Sequence, residues 1–185
     1  MHVTLRARSG LPSLRSERIH GMLRSVLLDQ RKRRYAAAFQ VVEFSVQRDH
    51  LHLIVEAKGL AAHRELRSGV SGLVIAFAKR LNMMLGRRGK VWADRWHGRD
   101  LGSPTEVRNA LVYVFRNVAK HGTRMIGDGV VDAVSSAPRF NGWTAPLGWT
   151  LDNGPWPDTP PTTWLLGEGW RTRGGGPIDP REAAL

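Results

Sequence analysis

The segment Asp49-His50-Leu51-His52-Leu53-Ile54-Val55-Glu56 places two histidines two residues apart in an otherwise apolar run. Side chains on a strand alternate faces, so His50 and His52 share one face. Two imidazoles held together in this way can share a metal ion. Tyr113, in Leu111-Val112-Tyr113-Val114-Phe115-Arg116-Asn117, is one of only 2 tyrosines in the chain. A phenol is mostly neutral at pH 7, and a nearby cation lowers its pKa while neutralising charge on a phosphate. With a formal net charge of +12, these residues point to metal-assisted cutting of a polyanion by a tyrosine nucleophile. Taken singly, each has an ordinary explanation: a solvated histidine pair opposite Ser45 and Gln47, and a surface tyrosine on an amphipathic helix.

The elements that must position these residues follow from periodicity. Val3 to Ala7 alternates and reads as a strand. Leu14, Ile19, Met22, Leu23, Val26 and Leu27 have helical spacing from Ser13 to about Gln30. Phe39–Gln47 and His50–Glu56 read as two strands with a tight connection at Arg48-Asp49. Pairing them about that turn places Val42, Phe44, Val46, Leu51, Leu53 and Val55 on one face. Glu43, Ser45, Gln47, His50 and His52 fall on the other, which predicts an antiparallel hairpin with one buried face. Glu65 to about Leu85 is a second helix, and Val91 to Leu101 a further strand. Ser103-Pro104-Thr105-Glu106 carries cap, first-turn proline and capping-box glutamate in order, so a third helix starts there and runs to about Lys120. On it Val107, Ala110, Leu111, Val114 and Val118 form the apolar face. Tyr113 and Asn117 lie together on another side, four residues apart.

Strand, helix, strand, strand, helix, strand is the order of an α+β, ferredoxin-like sandwich (βαββαβ, with an antiparallel sheet), here followed by a helix carrying the tyrosine. Beyond Arg124 the texture changes: 8 of the 10 prolines and 5 of the 7 tryptophans lie there. Residues 1–122 are read as one catalytic domain. Residues 123–185 are read as an irregular, Pro/Gly/Trp-rich C-terminal extension whose tryptophans anchor it to the body or to a partner.

Charge follows the same division. Residues 1–122 hold 23 Lys and Arg against 9 Asp and Glu, whereas residues 123–185 hold 5 against 7. A basic domain of this kind most often meets nucleic acid. The densest clusters, Arg31-Lys32-Arg33-Arg34 and Arg87-Arg88-Gly89-Lys90, are candidates to follow a DNA backbone, as is Arg95. Trp92 and Trp96 lie among Lys90, Arg95 and Arg99 and fit either base stacking or core packing. The chain has 0 cysteines, which excludes disulfides, thiolate zinc sites and cysteine nucleophiles. No apolar run approaches the ~20 residues of a membrane span. The N-terminus lacks the apolar stretch of a signal peptide, so the expected location is cytoplasmic, with no membrane partner.

The conjunction of these segments resembles a known family. His50-Leu51-His52 matches the His-hydrophobic-His pattern of the HUH endonucleases. Together with His2-Val3-Thr4-Leu5-Arg6, Val91-Trp92-Ala93-Asp94-Arg95-Trp96-His97 and the run from Ala110 to Gly122, it resembles a single-tyrosine HUH transposase, closest in type to the REP-associated tyrosine transposases. The resemblance spans about residues 2–122. It implies a divalent ion, Mg²⁺ or Mn²⁺, on His50, His52 and Asn117. It implies Tyr113 as the nucleophile that takes the 5′ phosphate of cut DNA and leaves a free 3′-OH. The partner implied is single-stranded, hairpin-forming DNA, with cleavage and rejoining as the reaction of DNA transposition. Two other readings stand beside it: a domesticated relative that grips hairpin DNA without cutting, and a phosphoesterase acting through water. Both a monomer and a homodimer are compatible with the sequence.

Overall fold

The computed structural model describes residues 1–32, 38–116, 125–126, 131–145 and 155–182. Four strands, β1 (His2–Arg6), β2 (Phe39–Val46), β3 (His50–Ala57) and β4 (His97–Arg99), form one sheet in the order β2-β3-β1-β4. All three pairings are antiparallel. Helices α1 (Glu17–Arg31) and α2 (Ala62–Met84) cross over between strands, giving the interleaved βαββαβ arrangement expected of a ferredoxin-like sandwich. Helix α3 (Pro104–Arg116) follows β4. Among the described residues no helix is long and apolar enough to cross a membrane.

The first core lies between the sheet and helices α1 and α2. Leu23 and Leu27 of α1 and Leu73, Phe77 and Leu81 of α2 meet Val3, Leu5, Phe44, Leu51, Leu53 and Val55. Helix α1 starts four residues later than its apolar spacing predicts. Leu14 instead donates its backbone N–H to the carbonyl of Arg48 (2.8 Å), and residues 13–16 close a turn through Ser16 N–H and the Ser13 carbonyl (3.0 Å). The stretch 91–101 is not one continuous strand. Ala7 bridges to Trp92, the chain bends over 93–96, and only His97–Arg99 rejoin β1.

The hairpin departs from the expected single buried face in two ways. A bulge separates the Val41–Val55 pair from the Glu43–Ile54 pair, so Val42 turns to the face opposite the one that alternation assigns it. That opposite face is itself covered. Ser45, Gln47, His52 and Glu56 are buried on it, because α3 and parts of the C-terminal segment pack there. Val42 and Ile54 join Val107, Leu111 and Val114 of α3, with Phe140, Leu166, Trp170 and Ile178, in a second core. Trp170 stacks on Phe140 (5.5 Å between centroids), and Phe140 lies 4.7 Å from Phe115. This wrapping explains why Val112 and Phe115, outside the predicted apolar stripe of α3, are also buried.

The C-terminal segment adds a short ribbon of β5 (Met125–Ile126) and β6 (Val131–Asp132), and a terminal turn of helix, α4 (Trp170–Arg173). Two polar clasps tie it to the body. Asp132 receives both terminal guanidinium nitrogens of Arg15 at 2.8 Å, and Arg15 also donates to the Val46 carbonyl (2.7 Å). The Glu56 carboxylate accepts the backbone N–H of Thr162 (2.6 Å) and of Thr163 (3.1 Å), and both hydroxyls as well.

Candidate active site

Antiparallel register decides which side chains meet. Thr4 stands directly opposite His52, and Arg6 opposite His50, so β1 and β3 present these four residues on one face. The rings of His50 and His52 lie 4.8 Å apart, edge to face. Helix α3 crosses this face and sets the Tyr113 ring 5.2 Å from His52. The helix is held at its start by the expected capping box. Glu106 Oε2 accepts the backbone N–H of Ser103 (3.1 Å), and Ser103 Oγ accepts that of Glu106 (3.3 Å). Arg99 of β4 donates to the same glutamate at 3.1 Å, which ties the helix start to the sheet edge.

A third imidazole completes the cluster, and its role was not legible in the sequence. His2 sits on the same face, with Nε2 3.2 Å from Nδ1 of His52 and its ring 5.7 Å from that of Tyr113. Thr4 Oγ1 is also 3.2 Å from His52 Nδ1. In sequence His2 is an isolated histidine; only the β1–β3 pairing brings it to His52. On the other side, Asp49 Oδ1 lies 2.8 Å from Nδ1 of His50. That hydrogen bond, ahead of the nearby charges, holds the Asp49 carboxyl below its ordinary pKa.

The electrostatics keep two of these rings neutral. Burial pulls the His52 pKa down to about 3, and His2 and His50 beside it add to the effect. Burial also pulls His2 down to about 4, helped by the N-terminal ammonium, Arg99 and His97. A neutral imidazole offers the lone pair that a metal requires. Among the described residues no group of three His, Cys, Asp or Glu side chains is arranged to hold a metal ion. Asn117, the donor expected from the sequence, lies outside the described residues.

The expected DNA contacts scatter. Arg33, Arg34 and the side chain of Arg31 lie outside the described residues, and Lys32 is exposed at the end of α1. Arg87 folds back onto its own loop, donating to Asn82 (3.0 Å) and to the Lys90 carbonyl (3.2 Å), while Arg88 and Lys90 are exposed. Arg95 is exposed beside β4. The two tryptophans of this region separate. Trp92 is core, donating to the Val74 carbonyl (3.1 Å), whereas Trp96 is only partly buried. The sequence clusters did not identify a groove next to the histidines, lined by Arg6, Arg8, Arg48 and Asp49. Its arginines come from β1, the loop after it and the β2–β3 turn, so no run of charge announces them.

No family model and no curated protein matches the chain. Among solved structures it is similar to that of a REP-associated tyrosine transposase bound to a REP hairpin. The TM-score is 0.60 at 18% identity, over 84% of this chain and 87% of that one. The chain therefore has the fold of a REP-associated tyrosine transposase, and the tyrosine-facing histidine pair lies within that fold.

Proposed function

We propose that this protein is a single-tyrosine HUH transposase that cleaves and rejoins single-stranded, hairpin-forming DNA through a 5′-phosphotyrosine. The observation that carries the reading is the meeting of Tyr113 of α3 with the histidine pair of β3: its ring lies 5.2 Å from His52, which lies 4.8 Å from His50. The similar solved structure, a tyrosine transposase holding a DNA hairpin, supports the same partner.

His50, His52 and Asn117 would hold one divalent ion, Mg²⁺ or Mn²⁺. A proton on His50 Nδ1, shared with Asp49, leaves the lone pair on Nε2. His52 Nδ1–H, donating to Thr4 Oγ1 or His2 Nε2, does the same for the second ring. When bound, the ion neutralises charge on the scissile phosphate and favours the phenolate. Tyr113 Oη attacks the phosphorus; the P–Oη bond forms and the bond to the 3′ oxygen breaks. The phenol gives up a proton and the departing 3′ oxygen takes one. The phosphodiester energy is kept in the phosphotyrosine, so a 3′-OH can reverse the step and rejoin the strand. Arg6, Arg8 and Arg48 hold the DNA backbone beside the histidines.

The test is incubation with labelled single-stranded hairpin DNA and Mn²⁺ or Mg²⁺, resolved on a denaturing protein gel beside Tyr113→Phe. A metal-dependent covalent band that disappears in the variant is the expected result. DNA binding without any covalent band, across a broad hairpin pool, would identify a non-cutting binder. Cleavage that survives Tyr113→Phe would identify a nuclease that uses water.

A further inference from the structure

A further clasp binds the C-terminal segment to α3, the helix that carries Tyr113, rather than to the sheet. Glu182 accepts both terminal guanidinium nitrogens of Arg108, at 2.6 and 2.7 Å, and its backbone carbonyl accepts Arg116 Nε at 3.0 Å. The hydrogen bonds from Arg108 hold the Glu182 carboxyl below the usual carboxylate range. The acid is presented from a fixed base. Ile178, fully buried in the second core, donates its backbone N–H to the Gly142 carbonyl (2.9 Å), and its own carbonyl accepts the N–H of Thr144 (3.0 Å). A turn closed by Glu182 N–H on the Asp179 carbonyl (2.8 Å) then brings the carboxylate to α3. At the other end Gly174 touches the helix start, where a Cβ would meet the Pro104 carbonyl oxygen at 2.5 Å. The segment thus follows α3 from Pro104 to Arg116.

These contacts fall on the flank away from the nucleophile. Val107, Leu111 and Val114 pack with Val42 and Ile54 of the sheet. Arg108 and Phe115 lie about 140° and about 160° round the helix from Tyr113, both in the same direction. Phe115 meets Phe140 and Trp143 there, at 4.7 and 5.4 Å between centroids. A helix that rests on a sheet through one apolar stripe can roll about its axis, and contacts on its flank fix that angle. A phenol oxygen stands roughly 8 Å from the axis of its helix, so a roll of about 10° moves it by about 1.4 Å. A misplacement of about 1 Å can cost about 100-fold in rate. We propose that Glu182 is a positioning residue for the nucleophile: locked to Arg108, it sets the roll of α3 that holds Tyr113 against His52. The proposal rests on the cleavage through Tyr113 proposed above. Glu182 lies outside the Arg6–Arg8–Arg48 groove, so its loss separates the chemistry from the grip on DNA.

The experiment measures single-turnover formation of the covalent adduct on saturating hairpin DNA with Mn²⁺, beside hairpin affinity by fluorescence anisotropy. Glu182→Ala should slow adduct formation at least about tenfold, part of the loss that an ångström's misplacement brings, and leave hairpin affinity unchanged. Arg108→Ala should match it. Glu182→Gln, which keeps an acceptor for Arg108, should recover much of the rate. Incorporated 3-fluorotyrosine follows the helix without any chemistry: the 2 tyrosines give separate ¹⁹F signals, and Tyr113→Phe identifies the one from Tyr113. Glu182→Ala should shift that signal, and Glu182→Gln should return it. An unmoved signal would overturn the proposal, as would a rate that falls in step with affinity. Unchanged or faster adduct formation in Glu182→Ala would overturn it too, the faster case showing a segment that restrains the helix. A wild type that forms no adduct would sink the cleavage reading, and the role in chemistry with it, even where the signal still moves.

Discussion

Nδ1 of His52 lies 3.2 Å from Nε2 of His2 on the adjacent strand, so one ring's orientation depends on the other. Partners of this kind fix tautomer and ring angle in metal sites, and their loss typically costs 10–100-fold in affinity. His2→Phe keeps an aromatic ring against Tyr113 but removes the polar contact. Mn²⁺ affinity, read as free ion by electron paramagnetic resonance, should fall about 10–100-fold in His2→Phe and recover partly in His2→Gln. His52→Ala should abolish binding. Equal affinities in the wild type and His2→Phe would show that His2 only fills space.

The neutral histidines make stability acid-sensitive. Unfolded, each imidazole titrates near 6.5, whereas the folded protein holds His2 to about 4 and His52 to about 3. Below pH 6.5 the unfolded chain takes up protons that the folded one refuses. The stabilisation is therefore complete above 6.5. It is lost as pH falls, by about 1.4 kcal/mol per unit for each group, until the native rings protonate. Urea melts at pH 7 and pH 5 should show a smaller drop for the His2→Gln/His52→Gln double variant than for the wild type. Parallel losses would refute the assignment.

Arg15 and Asp132 form a buried, two-pronged ion pair between the start of α1 and the C-terminal segment. Burial outweighs the guanidinium and leaves the Asp132 carboxyl above its usual pKa, so the pair is held by the fold more than it drives it. Removing one partner is a different matter. Asp132→Ala strands a buried guanidinium and should cost about 3–5 kcal/mol in urea denaturation. Replacing both residues with apolar ones of similar size should recover much of that.

Arg6, Arg8 and Arg48 converge in one groove, and phosphate contacts are read by their salt dependence. Each Arg→Ala change should weaken hairpin binding across sequences. Each should also lower the slope of log K against log salt by about 1. An unchanged slope would place the DNA elsewhere.

Gly69 in α2 illustrates a conflict between local preference and packing. Alanine is the better helix former by roughly 0.5–1 kcal/mol. Here, however, a Cβ would lie 2.2 Å from Cγ of Phe39, a buried ring in β2. Overpacking of a core costs about 1–3 kcal/mol, so Gly69→Ala should lower the melting temperature.

Much of this was readable in advance because it depends on short-range geometry. The period of two puts His50 and His52 on one face. The four residues from Ser103 to Glu106 specify a cap that forms as spelled. The alternation of strands and helices specifies the sandwich. The reading failed where long-range contacts overrule local pattern. Val42 changes face because of a bulge, and 91–101 breaks because only three of its residues pair with β1.

The sequence by itself determined the order of the main strands and helices, the shared face of His50 and His52, and the basic character of the first 122 residues. Tertiary structure decided what those residues meet. His2 and His52 are 50 positions apart in the chain, and Arg15 and Asp132 are 117 apart. Pairings over such distances are selected by strand order and by the burial of a second sheet face. The free energy behind them is shared by the whole packed core and is written in no local stretch of sequence.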